Sequence, residues 1–567
     1  MSGKSASRRK KRKARTVGRP ETAPVAPSQV LAGGGGGKSS WRLPVLLFAV
    51  CFGAYAMNGD VLMGADQETN MRFGVNVLKH RSFSLAPPHA PDAFTWTLQR
   101  SPEDTGPVEL TRWNSKWDAL YRKGELRAAY PYSMVPTVHP GQYANTFGFG
   151  AMLTLLPVYA ALNIFTDLAA DRSAWWHGAK VTASLLTAGA VVCIFLAMRR
   201  FLPPLPAALG ALAFGLGTCA WSLSSQGLWQ QTPFLFFLSL GAWCLFAAGQ
   251  ETTRRPAWAL YCGAALGMAT LCRPTGAIAV VCVGLYLLWL APPRLLPRLL
   301  HSPGAAGAAP GEGRPGGLRR FPALPPVFAY VLGGLPFAAL LGAYNAYYFG
   351  NPFVFGQGLA AEWLVRERGV AGVWQTPLAE GLAGLLCSPS RGLLVYSPIM
   401  ALGLAGAVMM WKSPRTFAPL IPLQAAVLLQ VAVAAKWYDW WGGWTYGPRP
   451  IVDAGVFLSL LTIPVIARVV QAPRMRGVFA ALFLYSVAVQ AVGAWAYNIV
   501  GWNDKDGMNI DQPEHRSRLW SLSDSQLAYY ATHFRLARAQ KQHDINYYLY
   551  EDTTPIIVGP RKGASFQ

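Results

Sequence analysis

The chain has 567 residues, of which 52% are hydrophobic, 12% aromatic and only 14% charged, and its formal net charge is +23. Soluble proteins are roughly a quarter charged, so this little charge beside 21 Trp does not cover a surface in water. The composition excludes a disordered chain, a disulfide-stapled miniprotein and an ordinary cytosolic enzyme, and it points to an all-α polytopic integral membrane protein.

The basicity is concentrated at the start. Residues 1–40 hold ten Lys/Arg against one acid, Glu21, in a setting of Ser, Gly, Pro and Ala. Such a segment buries too little apolar surface to fold. It is expected to be a disordered cytoplasmic arm that sets topology by the positive-inside rule and suits anionic lipid headgroups. No aromatic or fold motif accompanies it, so nucleic acid is not an expected partner. The apolar run from Trp41 to Met57 reads as a retained first span rather than a cleaved signal peptide.

A spanning helix needs about 20 apolar residues. Stretches nearly free of charge run over 41–59, 181–198, 201–250, 256–272, 274–293, 321–361, 392–411, 416–435, 454–467 and 477–503. The stretch 201–250 holds two spans divided by a polar turn at Ser224-Ser225-Gln226. With the arm inside, the clusters at Arg199-Arg200, Arg254-Arg255, Arg294 to Arg320, Lys412 to Arg415 and Arg468 to Arg476 all fall on the inner face, as the positive-inside rule asks. The alternation predicts about eleven transmembrane helices with the C-terminus outside. The apolar segment from Gly148 to Thr166 would invert every later cluster if it crossed. It is expected to be a juxtamembrane or re-entrant helix, with twelve spans as the alternative.

The chain then divides into the arm 1–40, a transmembrane domain 41–500 with outer loops 58–146 and 350–392, and a small outer-face extension 501–567. The inner loop 294–325, rich in Gly, Pro, Ala and Arg, reads as a flexible linker. Six of the eight Cys lie in apolar runs, no C-x-x-C pair occurs and no metal-ligand spacing with His is present. Neither disulfides nor a metal cofactor are expected from this pattern.

Charges inside spans mark ion pathways, and the expected spans are nearly free of them. Ionisable residues gather at the outer ends instead: Asp60, Asp66, Glu68, Arg72, Arg273, Arg391, Lys436, Asp439, Arg449 and Asp453. Asp66 leaves the first span and heads an amphipathic stretch. A carboxylate held there suits a general base and equally a helix N-cap favoured by the dipole. Arg273, between two adjacent spans, suits a lipid phosphate gripped by its planar fork of donors or simple snorkelling to the interface. The densest aromatic stretch runs from Trp437 through Tyr438, Asp439 and Trp444 to Arg449. An interfacial belt accounts for the rings. Its Gly-Gly and Gly-Pro turns with Asp and Arg between them also suit contact with a sugar or headgroup.

In this order the residues resemble the C-type glycosyltransferases, the polytopic membrane class that includes the protein O-mannosyltransferases and the lipid A aminoarabinose transferase. The resemblance runs from about residue 42 to about 530. It rests on Asp66 to Phe73 closing on Ser82-Phe83, Val138-His139-Pro140-Gly141, Arg273-Pro274-Thr275-Gly276, Tyr344-Asn345 with Phe349-Gly350-Asn351-Pro352, Ser388 to Pro398, and the Trp-Gly-Gly-Trp run to Arg449. It implies a polyprenyl-phosphate sugar as donor, a bacterial cytoplasmic membrane as location, and a protein, glycan or lipid as acceptor. It places the catalytic acid on the first outer loop, at Asp66 with Glu68 beside it. It implies Arg273, Arg391 and Arg449 as donor-phosphate ligands, and Trp437, Tyr438, Asp439, Trp444 and His139 as sugar or acceptor contacts. Some members carry two adjacent acids; here Gln67 separates Asp66 from Glu68. The resemblance leaves open whether Asp60, Asp66 or Glu68 is the base, and whether Asp66 and Glu68 hold a divalent metal. A lipid or glycan flippase, or a non-catalytic scaffold, is the competing reading. A transporter is expected to show repeat symmetry and broken helices with charges near mid-membrane, and neither is visible in the sequence.

Overall fold

The computed structural model describes residues 41–62, 64–86, 95–99, 105–109, 134–251, 253–291, 325–367 and 372–546. The expected arm 1–40 lies outside these residues, as does all but the last residue of the expected linker 294–325.

Helix α1 (Arg42–Ala56) is followed by an outer-loop helix, α2 (Ala65–His80). Five short strands come next. Strands β1 (Ser84–Leu85), β4 (Met134–Pro136) and β5 (Tyr143–Asn145) form an antiparallel sheet of order β1-β5-β4. Strands β2 (Thr95–Gln99) and β3 (Thr105–Glu109) form a separate hairpin. The segment expected to lie along the membrane is two short helices, α3 (Gly150–Leu153) and α4 (Leu156–Leu162). At 4 and 7 residues, both are far below the roughly 20 that a crossing needs.

The bundle continues with α5 (Arg172–Met198), α6 (Pro204–Gly217), α7 (Gln231–Gln250), α8 (Arg255–Cys272), α9 (Gly276–Trp289) and α10 (Pro326–Phe349). The outer loop after α10 folds as α11 (Gly356–Glu367) and α12 (Leu378–Cys387). The later spans are segmented. The expected helix over 393–411 is α13 (Leu393–Tyr396), a 3-10 turn at Pro398–Met400 and α14 (Ala401–Met409). The break is at Pro398, which lacks an N–H and disfavours helical geometry in the residue before it; Ser397 sits at φ −143°. Then come α15 (Ile421–Lys436), α16 (Ala454–Leu461), α17 (Ile463–Val469), which has Pro464 in its first turn, and α18 (Pro473–Ala496). Two 3-10 segments, α19 (Gln526–Thr532) and α20 (Phe534–Asn546) complete the chain.

Among the described residues, five helices are long and apolar enough to cross a membrane: α5, α7, α10, α15 with its preceding turn, and α18. Six shorter apolar stretches accompany them. Helices α5 and α7 bury most of their surface inside the bundle, whereas α10 and α18 expose most of theirs. The polar turn expected at 224–226 is preceded by a π-helical turn, Ala220–Ser224.

Small residues set the helix spacing, because lipid tails supply no hydrophobic drive between helices and close backbone approach must do so. Where α8 meets α10, Gly263 lies against the Tyr330 carbonyl and Gly333 against that of Leu260, so no side chain fits at either. Gly403 and Gly406 of α14 meet the Leu458 and Leu461 carbonyls of α16 in the same way. Gly333→Leu should therefore force α8 and α10 apart, an overpacking cost of roughly 1–3 kcal/mol. Gly477→Leu, where nothing lies within 4 Å, should be near neutral. Thermal unfolding in detergent compares them; equal midpoints would remove the close-contact account.

The tail is a folded cap. Its keystone is Arg391, wholly buried. Its Nε donates to the Trp441 carbonyl at 3.1 Å, one terminal nitrogen to Ser390 at 2.9 Å, and the other to the Gly443 carbonyl at 3.1 Å and Asn503 Oδ1 at 2.8 Å. The guanidinium also lies over Trp502, 5.3 Å from the ring centroid. Ser388 Oγ donates to Leu519 and Gln526 Nε2 to the Thr445 carbonyl. Arg391→Met should leave these buried acceptors unpaired and lower stability by roughly 2–4 kcal/mol, again read from the thermal midpoint.

Candidate active site

Helix α2 begins after an extended Gly64, which is its N-cap residue, so Asp66 does not cap the helix as one reading of the sequence had it. Asp66 and Glu68 both lie in the first turn, where the helix dipole favours negative charge. Their side chains diverge. The Asp66 carboxylate, buried, pairs with Arg449. Glu68 takes Arg72 one turn along at 2.7 Å and Arg172 of α5 at 3.4 Å.

Arg449 opens a 3-10 turn, Arg449–Ile451. Its guanidinium lies over the buried Trp229 ring, 4.3 Å from the centroid. Arg273, in the turn between α8 and α9, pairs with Asp453. Asp453 sits one residue ahead of α16 and is 3% exposed. Burial pushes its carboxyl up to about 6, against the pull of Arg273 and then Arg449. Asp66, Arg449, Asp453 and Arg273 therefore form a row of alternating charge. It is drawn from three separate segments and sits at the ends of α2, α8 and α16.

Asp60 is not part of this row. It is buried against the tail helix α20, with Lys541 at 3.3 Å, Arg538 at 3.8 Å and Gln542 at 3.3 Å. Burial pushes the Lys541 ammonium down, and Asp60 holds it up. Nearby, Lys180 of α5 is buried and donates to Gln226 Oε1 at 2.5 Å. It is the exception to a set of spans otherwise nearly free of ionisable groups. It is tolerated because side-chain amides receive it.

The other residues singled out from the sequence have different partners. Arg391 is the buried tie between loop and tail described above, with four of its five N–H groups spent on protein acceptors. That makes it structural rather than a phosphate ligand. Asp439 Oδ1 accepts from the Gly443 amide at 3.0 Å and closes the Gly442-Gly443 turn, whose φ angles of 77° and 66° suit glycine. Trp444 Nε1 donates to Asn509 at 3.2 Å. Trp437 meets Trp374 edge-on at 5.1 Å and lies beside the buried Tyr438 at 5.2 Å. His139 packs on Tyr347, rings 4.5 Å apart, and shares a 3.0 Å hydrogen bond with its carbonyl. The aromatic run thus carries one member of the charged row, Arg449, at its end.

Sequence reasoning missed Trp229 as the floor under Arg449 and the pairing of Asp453 with Arg273. A Trp in a polar turn, Gly227-Leu228-Trp229-Gln230, was the available signal.

The family model described as dolichyl-phosphate-mannose-protein mannosyltransferase matches residues 129–309. That stretch contains Trp229 and Arg273, and it excludes Asp66, Arg449 and Asp453. No curated protein matches the chain. Among solved structures, the chain is similar to ArnT from Cupriavidus metallidurans bound to undecaprenyl phosphate, with 14% identity, 90% of this chain and 78% of that chain covered, and a TM-score of 0.47. It is also similar to the oligosaccharyltransferase AglB from Archaeoglobus fulgidus, in complex with an inhibitory peptide and a dolichol-phosphate, with 11% identity, 86% and 60% covered, and a TM-score of 0.42.

Arg449→Ala should strand a buried Asp66 carboxylate, at a cost of roughly 3–5 kcal/mol. Adding Asp66→Ala should recover much of it. Thermal unfolding of the four proteins in one detergent gives the coupling; strictly additive losses would mean that the two side chains do not act as a unit.

Proposed function

We propose that the chain is an inverting glycosyltransferase of the C type. It moves a sugar from a polyprenyl-phosphate carrier to an acceptor hydroxyl at the outer face of a bacterial cytoplasmic membrane, with its N-terminus inside and C-terminus outside. The observation that carries this reading is the charged row: one first-loop carboxylate, Asp66, against Arg449, with Arg273 alongside. The family-model match over Trp229 and Arg273 supports it.

In this mechanism Asp66 accepts the proton of the acceptor hydroxyl. The freed oxygen attacks the anomeric carbon from the side opposite the phosphate. The bond from that carbon to the phosphate oxygen breaks, and its electron pair stays with the lipid phosphate. Inversion follows because a single displacement occurs. Arg449 and Arg273 meet the charge developing on the leaving group in a site that excludes water, where such contacts count most. The donor phosphate must draw both arginines from Asp453 and Asp66, which leaves Asp66 able to accept a proton. Asp60, tied to Lys541 and Arg538, and Glu68, tied to Arg72 and Arg172, are held by other partners. The acceptor is a protein, glycan or lipid bearing a free hydroxyl.

Purified protein supplied with polyprenyl-phosphate sugars tests this. Asp66→Asn should lower turnover by roughly 10²–10⁴-fold, and Arg449→Ala or Arg273→Ala by about 10²–10³-fold. Glu68→Gln should cost about tenfold or less. Wild-type turnover by Asp66→Asn would show that another group is the base.

A further inference from the structure

Gln67 separates the two first-turn acids and has no role in the mechanism above. Its side chain is 1% exposed. The amide lies against the Gly227 backbone so closely that a Cβ there would run into Oε1. It also shares one face of Gly64 with the Trp229 ring: a Cβ on Gly64 would meet Trp229 at 3.0 Å and Gln67 Nε2 at 3.5 Å. Gln67 and Trp229 are therefore neighbours at the place where Arg449 covers the indole and reaches Asp66.

Four buried polar atoms on Gln67, Trp229 and Asp453 have no hydrogen-bond partner among the described residues. They are Gln67 Nε2, Gln67 Oε1, Trp229 Nε1 and Asp453 Oδ1. Trp229 is 2% exposed and Asp453 3%. Buried polar groups in folded proteins are nearly always paired, and each exception calls for an explanation. These four belong to residues that meet Arg449 or Arg273, or lie beside one that does.

The chemistry of the four atoms selects among ligands. Two are donors and two are acceptors. A phosphate only accepts, so it would leave Gln67 Oε1 and Asp453 Oδ1 unpaired. An acyl chain would leave all four unpaired. A hydroxyl both donates and accepts, so a polyhydroxylated ring satisfies the set, and the arginines beside it hold the phosphate.

We propose that Gln67, Trp229 and Asp453 form the subsite that hydrogen-bonds the hydroxyl groups of the donor's sugar, next to the phosphate held by Arg449 and Arg273. The proposal rests on the donor assignment given above. A site built to hydrogen-bond hydroxyls rejects a ligand that lacks them, because its own polar groups are then left unpaired. The subsite thus distinguishes the loaded carrier from the bare one, and it weakens the hold on the bare polyprenyl phosphate left after transfer.

The test measures binding of two kinds of probe to the full-length protein in nanodiscs. One is decaprenyl phosphate; the other is decaprenyl phosphate carrying mannose, glucose, galactose or arabinose. Wild type should bind at least one loaded carrier about tenfold or more tightly than the bare one. Gln67→Met, close in size but without the amide, should abolish most of that preference and change affinity for the bare carrier by about twofold or less. Trp229→Phe, which keeps a ring under Arg449 and removes one donor, should reduce the preference by a smaller factor. An undiminished preference in Gln67→Met overturns the proposal. So does a wild type that binds the bare carrier and favours none of the loaded ones, and in that case the phosphate assignment survives. A wild type that binds neither probe overturns both.

Discussion

The Asp66–Arg449 pair joins side chains 383 positions apart, and the arrangement of the candidate site depends on it. For these groups to meet, the first residues of α2 and the turn after the Trp-Gly-Gly-Trp run must be brought to the same floor, Trp229. Taking two charges out of water is expensive, and their mutual attraction in a low-dielectric site repays this only with good geometry. Such a pair is weak evidence for stability. Its consequence is positional: once the two groups are buried together, neither segment shifts without stranding a charge.

The rest of the architecture supplies that geometry. Glycine contacts between α8 and α10, and between α14 and α16, let backbones approach closely. They fix the bundle ends from which Arg273 and Asp453 emerge. The tail, tied down by Arg391 and by the Lys541–Asp60 pair, closes over the aromatic run whose last member is Arg449. The segmented helices belong to the same picture. Irregular backbone at membrane depth is tolerated where protein or a cavity receives its polar groups. The breaks at Ser397-Pro398, around Thr462 and in the π-turn 220–224 lie in buried chain.

Much of the fold was legible because lipid imposes a simple rule: apolar runs of sufficient length become helices. The long helices α5, α7, α10, α15 and α18 follow it; 148–166, which forms two short helices, was set apart on another ground, because a crossing there would invert the later basic clusters. The small outer sheet was not legible, since strands of two or three residues carry no usable periodicity. For the site, Asp66, Arg273 and Arg449 stood out through their position at span ends. Arg391 stood out for the same reason and became a structural tie, because position at an interface does not say whether an arginine's donors are already spent. Lys180 carried no signal in the sequence, since its burial against Asn58 and Gln226 is a tertiary fact.

The sequence by itself determined that this chain lives in a membrane, where its helices run, and that its few charges gather toward one end of them. Those are consequences of composition and spacing, which are local. Only the tertiary structure decided which charges meet. The partner of Asp66 lies 383 residues away, and Asp439, nearer in sequence to Arg449, goes instead to a turn amide. Gln67 carried no signal and Trp229 only its place in a polar turn, since the meaning of a buried amide or indole lies in whether its hydrogen bonds are made. That depends on which backbone folds against it, a non-local fact set by packing.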